Sequence, residues 1–273
     1  MPTDPGPLGI VAGRGELPRL LIRSCREQGR DVFVIALKDH CDPETVDGVN
    51  HAWVRIGAGG TSISELRKAG VRDLVMAGAV KRPGFWSVLP DWRTFKFFLG
   101  GWLSKGDDGL LRAIVRTLET QEGFRIRGAH QVRPELLSPE GVLGRVQPSA
   151  KDDRSIQTAV RAAKDLGAQD KGQAAVGRAD DVIALEGPDG TDAMLTQLIA
   201  SGEALGAVLA KMTKPGQETR VDLPTIGLRT VENVKRAGMR GIVVEAGSSI
   251  IVDRDQVLAK ADALDVFVVG MKP

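Results

Sequence analysis

Two stretches in the second half of the chain carry charges of both signs at close spacing. The first is Glu186-Gly187-Pro188-Asp189-Gly190-Thr191-Asp192. The second runs Lys211-Met212-Thr213-Lys214-Pro215-Gly216-Gln217-Glu218-Thr219-Arg220-Val221-Asp222-Leu223-Pro224. The carboxylates of Glu186, Asp189, Asp192 and Asp222 beside the cations of Lys211, Lys214 and Arg220 suit a divalent ion holding a phosphate. The cations would neutralise the remaining oxygens. A capped helix, a Pro-Gly turn and a solvated cluster of ion pairs would use the same residue types, and no short motif of established specificity decides between the two.

The neighbouring residues indicate what positions these loops. Val182 to Leu185 is an apolar run that reads as a strand. A tight glycine loop follows, then a helix capped by Thr191 or Asp192 that carries Met194, Leu195, Leu198 and Ile199. Ala207 to Ala210 feeds the basic loop in the same way. Loops leaving the ends of neighbouring strands meet at one edge of a sheet, where α/β proteins bind ligands. Further strands are expected at Ala174–Val176, Ile242–Glu245, Ile250–Val252 and Val266–Val269. Helices are expected after Asp192, Thr230 and Arg254, and one more is capped by Asp152 or Asp153 and ends at Gly167.

The first half also alternates strand and helix. Strands are expected at Leu8–Ala12, Asp31–Leu37, His51–Ile56 and Leu74–Ala77, with Phe124–Arg127 closing the domain. Pro18 starts a helix that Gly29 ends, and Ser62 with Glu65 forms a capping-box pattern before one that Gly70 stops. This order predicts a parallel, right-handed sheet and a Rossmann-like N-terminal domain over residues 1–133. The Pro-, Gly- and Ser-rich stretch 134–150 reads as a linker to a distinct α/β C-terminal domain, 151–273.

The glycine turn after the first strand is a natural phosphate site, since backbone N–H groups and a helix N-terminus attract anions. Gly13 and Gly15 match the first two glycines of a dinucleotide fingerprint, but Pro18 occupies the third place, which argues against a nicotinamide cofactor. A glycine turn without a ligand is the competing reading. Lys81 and Arg82 follow the fourth strand. Seven of the chain's eleven tryptophans and phenylalanines then fall between residues 85 and 102, as a local core or as a surface for something apolar and anionic. Asp107 and Asp108 open the next helix, where capping alone would explain them.

Bulk properties narrow the classes. A formal net charge of +2 on 273 residues gives no basis for nucleic acid binding. Cys25 and Cys41 make no disulfide framework or metal motif, which fits a reducing compartment. His40, His51 and His130 have no ligand spacing. No run approaches the roughly 20 apolar residues that span a bilayer, and no signal peptide is evident.

Several motifs, taken in order, point further. The Gly-x-Gly-x-Leu-Pro turn at residues 13–18, Gly78 to Pro83, and Gly106-Asp107-Asp108 before Leu110-Leu111 precede Glu186-Gly187, Gly190-Thr191-Asp192 and the basic loop from Lys211 to Pro224. This set resembles the UDP-2,3-diacylglucosamine pyrophosphatases of lipid A biosynthesis, in the form unrelated to metallophosphoesterases. The likeness covers nearly the whole chain. It implies a cytoplasmic enzyme that hydrolyses UDP-2,3-diacylglucosamine to UMP and 2,3-diacylglucosamine 1-phosphate in a cleft between the two domains. It also implies a divalent metal, Mg²⁺ or Mn²⁺, a homodimer, and peripheral contact with the cytoplasmic face of the inner membrane.

On this likeness Asp222 is the essential carboxylate, as metal ligand or as base toward water. Asp192 comes second, and Glu186 joins them at the metal. Lys211, Lys214 and Arg220 stabilise charge on the pyrophosphate. Gly13, Arg14, Gly15, Ala79, Lys81, Arg82, Asp107, Asp108, Gly190, Thr191 and Gln217 face the substrate, and the aromatic cluster takes the acyl chains. Arg14 departs from the pattern, standing where a small residue is expected. The alternatives are a non-catalytic protein that binds or senses a nucleotide-sugar or nucleotide-lipid, and a sugar-nucleotide transferase.

Overall fold

In the computed structural model, which describes residues 6–80 and 107–272, the apolar run near the N-terminus is β1 (Leu8–Ala12), at the centre of a five-stranded sheet. It leads into α1 (Glu16–Glu27), β2 (Val32–Leu37), β3 (Asn50–Val54), α2 (Gly59–Lys68) and β4 (Asp73–Ala77). Then come α3 (Asp107–Thr120), β5 (Arg125–Arg127) and the single turn α4 (Ala129–Val132). Strand order is β3-β2-β1-β4-β5, parallel throughout. The chain therefore changes winding direction between β1 and β4, the switch point at which such sheets take ligands.

Two helix starts differ from expectation. α1 begins at Glu16, so Pro18 is its third residue, within the first turn, where a missing N–H costs no intrahelical bond. α2 begins at Gly59, which puts Ser62 inside the helix; its hydroxyl donates back to the Ala58 carbonyl and forms no capping box.

The chain divides into two compact units, Met1–Pro134 and Glu135–Pro273. In the second, β6 (Gly141–Val142), α5 (Asp152–Ala168), β7 (Ala174–Arg178) and β8 (Asp181–Leu185) precede α6 (Gly190–Ser201), β9 (Val208–Lys211) and β10 (Thr225–Ile226). α7 (Leu228–Arg236), β11 (Gly241–Glu245), β12 (Ile250–Ile251), α8 (Arg254–Ala263) and β13 (Phe267–Met271) complete it. Its main sheet has the order β6-β13-β11-β9-β7-β8.

Period-two alternation sorts the side chains to two faces. Leu209, Ile242, Val244 and Val268 pack with Leu195, Leu198, Val231, Val234 and Val257 of α6, α7 and α8. Ala175, Val208, Ala210, Val243 and Phe267 pack with Ile156, Ala159 and Ala163 of α5 on the other face. This sheet is mixed. β7 and β8 form an antiparallel hairpin, and β7 also runs antiparallel to β9.

The stretch expected to be a linker is tied into the second unit. β6 pairs antiparallel with β13, the Ser138 N–H donates to Ser249 O, and the Asp262 carboxylate accepts the Arg145 and Val146 N–H groups. Its Pro-, Gly- and Ser-rich composition marks a route made of turns, and backbone hydrogen bonds fix that route. Among the described residues, no helix is long and apolar enough to cross a membrane.

Candidate active site

β8 and β9 point the same way because each is antiparallel to the β7 strand between them. They are therefore second neighbours, yet the loops after them leave at the same sheet edge. β7 enters the sheet there through Gln173, between the acidic and the basic loop. Gln173 carries no charge and fits no motif, so nothing in the sequence singles it out.

Lys211 is the last residue of β9. Alternation puts it on the face of Leu209, toward α6 and α7, where the apolar core ends. Its side chain is buried and donates from Nζ to the Thr225 carbonyl at 3.1 Å. β10, paired with β12, fixes that carbonyl. Burial pushes the Lys211 pKa down, while the charges of Glu186, Asp192 and Asp222 act in the opposite direction and only partly offset it. Three of the four carboxylates that the sequence singled out thus lie near enough to act on one ammonium.

These carboxylates have different tasks. Glu186 Oε2 accepts the N–H groups of Gln173 and Ala174 at 2.7 and 3.2 Å, and Oε1 accepts the Thr191 hydroxyl. Glu186 is buried and ties the start of β7 to the first turn of α6. Thr191 and Asp192 do not cap α6. The helix starts at Gly190 after Asp189, and the Thr191 hydroxyl is committed to Glu186. Asp192 is more than half exposed and meets Arg229 at 3.2 Å. Asp222 closes a turn in which its N–H donates to Glu218 O, and its Oδ2 accepts from Gln217 Nε2.

Among the described residues, no three His, Cys, Asp or Glu side chains stand together as a metal site. The donor chemistry separates the expected ligands. Glu186 does not fit, because three protein donors already occupy its oxygens. Asp222 and Asp192 do fit the manner in which Mg²⁺ is held, by one or two carboxylates together with substrate oxygens.

The other expected cations have nearby acidic partners. Lys214 Nζ lies 3.2 Å from Asp170 Oδ1, and Arg220 forms a two-pronged contact with Glu218 at 2.8 Å.

In the first unit, the loops after β1 and β4 cross backbone to backbone at the switch point. Arg14 and Ala79 exchange both N–H···O bonds at 2.9 Å, and Gly13 N–H donates to Ala77 O. A Cβ on Gly13 would stand 2.6 Å from Ala79 O, and one on Gly78 2.7 Å from the Gly13 carbonyl carbon. Both glycines therefore serve the crossing. The Gly15 N–H donates to Asp42 Oδ2. The N–H groups of Gly13, Arg14, Gly15 and Ala79 are thus all engaged, so among the described residues these four amides form no open phosphate cradle. What the loop offers is the half-exposed Arg14 guanidinium, 3.8 Å from Asp42. Lys81, Arg82, the aromatic cluster and the side chains of Asp107 and Asp108 lie outside the described residues.

Fold and site together define a two-domain α/β protein whose second unit gathers charged residues at one sheet edge. The model of the LpxI N-terminal domain matches residues 7–136, and that of the LpxI C-terminal domain matches residues 139–269. The chain is 42% identical over 275 residues to a Caulobacter vibrioides protein named UDP-2,3-diacylglucosamine pyrophosphatase LpxI, covering 97% of this chain and 98% of that protein. It belongs to the LpxI family, as the resemblance in its motifs implied.

Proposed function

We propose that this chain hydrolyses the pyrophosphate of UDP-2,3-diacylglucosamine to UMP and 2,3-diacylglucosamine 1-phosphate, with Asp222 as the essential carboxylate. The reading draws its substrate from the relative's name. It is carried by one observation, that the charges of Glu186, Asp192 and Asp222 all act on the buried Lys211. Lys211, on a rigid strand and away from water, is placed to stabilise charge that builds on the phosphate oxygens. Lys214 and Arg220 would exchange Asp170 and Glu218 for the outer oxygens. Glu186 and Thr191 hold the frame. Asp222 accepts a proton from the attacking water or orients it.

A divalent ion, Mg²⁺ or Mn²⁺, would be held by Asp222 and Asp192 and would polarise the pyrophosphate. The cytoplasm, a homodimer and peripheral contact with the inner membrane complete the proposal.

Release of UMP from UDP-2,3-diacylglucosamine, followed with each metal and with chelator, tests it. Asp222→Ala is expected to lose at least about 100-fold in rate, the usual scale for a group acting in the transition state, while its melting temperature stays near that of the wild type. Hydrolysis at the wild-type rate overturns the assignment. Substrate binding by the wild-type protein without UMP release supports the sensing alternative, and product that appears only with an added acceptor supports a transferase.

A further inference from the structure

We infer that Gln217 is a positioning residue, which holds Asp222 in its working orientation and makes no contact with substrate. This rests on the reading of Asp222 as the reacting carboxylate. Gln217 is 8% exposed, and both ends of its amide are engaged. Oε1 accepts the Lys214 backbone N–H at 3.1 Å, and Nε2 donates to Asp222 Oδ2 at 2.5 Å and to Gln173 Oε1 at 3.4 Å. A backbone N–H only donates and a carboxylate only accepts, so these two neighbours fix which way the amide faces.

The connection extends beyond Gln217. The Gln173 N–H donates to Glu186 Oε2, and Glu186 Oε1 takes the Thr191 hydroxyl. Asp222, on a loop, is thereby referred to the start of β7 and the first turn of α6. Gln217 binds one oxygen of Asp222; among the described residues, Oδ1 accepts no hydrogen bond and is left for the chemistry. Side-chain support of this kind is what holds a reacting group to the few tenths of an ångström that catalysis requires.

The experiment compares Gln217→Ala, Gln217→Glu and Asp222→Ala in the UMP-release assay. For Gln217→Ala, kcat is expected to fall by about 10-fold or more with KM within about twofold, the pattern of a lost transition-state arrangement. Gln217→Glu keeps the shape but sets a second carboxyl against Asp222. The two carboxylates repel and turn Asp222 away, so kcat should again fall by about 10-fold or more with KM within about twofold.

A rise in KM at unchanged kcat in Gln217→Ala overturns the inference in favour of a substrate contact. A Gln217→Glu variant with wild-type kcat also overturns it. If Gln217→Ala does not fold, the near-isosteric Gln217→Glu decides alone. If Asp222→Ala is inactive while both Gln217 variants behave as wild type, only the positioning role fails. If Asp222→Ala is fully active, the reading beneath it fails first.

Discussion

Lys211 holds a charge where a charge is costly. An ammonium taken from water loses hydration that one carbonyl at 3.1 Å does not replace, and its pKa falls even with three carboxylates acting on it. Such a residue lowers stability, and the proposed site gives a reason for its presence. Its lowered folded-state value lies below the ordinary 10.5, so between the two the unfolded chain binds more protons. Stability therefore rises with pH across that window, and the full penalty applies below it. Lys211→Met fills the same space without the charge. It should be as stable as the wild type near neutral pH, or more stable by up to about 2 kcal/mol, with UMP release down about 100-fold. Urea midpoints measured from neutral pH into the alkaline range should show the variant's advantage shrinking as the wild type sheds its proton. A gap that does not change with pH would mean that the ammonium is not the buried charge.

At the scale of elements, Asp73 fastens the entry edge of the first sheet. It opens β4, paired in register with Leu8 of β1 and Arg125 of β5. Its buried carboxylate meets Arg30 at 2.9 Å, Arg125 at 2.9 Å and Arg127 at 3.1 Å. Burial pushes its pKa up, but the guanidinium groups of Arg30, Arg127 and Arg125 together outweigh that effect, so the net shift is downward. A lowered carboxylate stabilises the fold above its unfolded value of 3.8 and loses that contribution as pH falls through the folded value. Asp73→Asn should cost about 2–3 kcal/mol near neutral pH, since Arg125 and Arg127 are half exposed and partly screened. The deficit should shrink below about pH 4. Denaturant midpoints at neutral and acid pH check both parts; an equal deficit at both would show that packing, and not charge, is what was lost.

Over the whole molecule, each unit has its own sheet and its own buried core. The boundary between Pro134 and Glu135 passes ahead of Ser138, whose bond to Ser249 begins the second unit's hold on the chain. Residues 1–134 and 135–273 expressed apart should each unfold cooperatively in urea. A broad, non-cooperative transition in 135–273 would show that its core is incomplete alone. Cleaving the chain at 150, where composition suggested the second domain begins, should be worse, because it removes β6 and the segment that Asp262 clamps.

Apolar period, glycine and proline placement and the order of short charged motifs were enough, without coordinates, to give the strands and helices, two α/β halves and the family, because those signals are local. They also supplied the members of the charged cluster. Which groups meet was a tertiary matter. The β7–β8 hairpin lacks a strong turn pair, so its antiparallel insertion between β8 and β9 was hidden, and Gln173 with it. The glycine loop looked like an open cradle because its amides have no acceptor nearby in sequence; their partners, Ala77, Ala79 and Asp42, are supplied from other loops and strands. Lys214 and Arg220 were assigned to substrate by residue type and by the likeness; the fold brings Asp170 to Lys214 from 44 residues away, whereas Glu218 is already beside Arg220 in the sequence. Backbone amides and charges take the nearest partner in space, and only the strand order determines which partner that is.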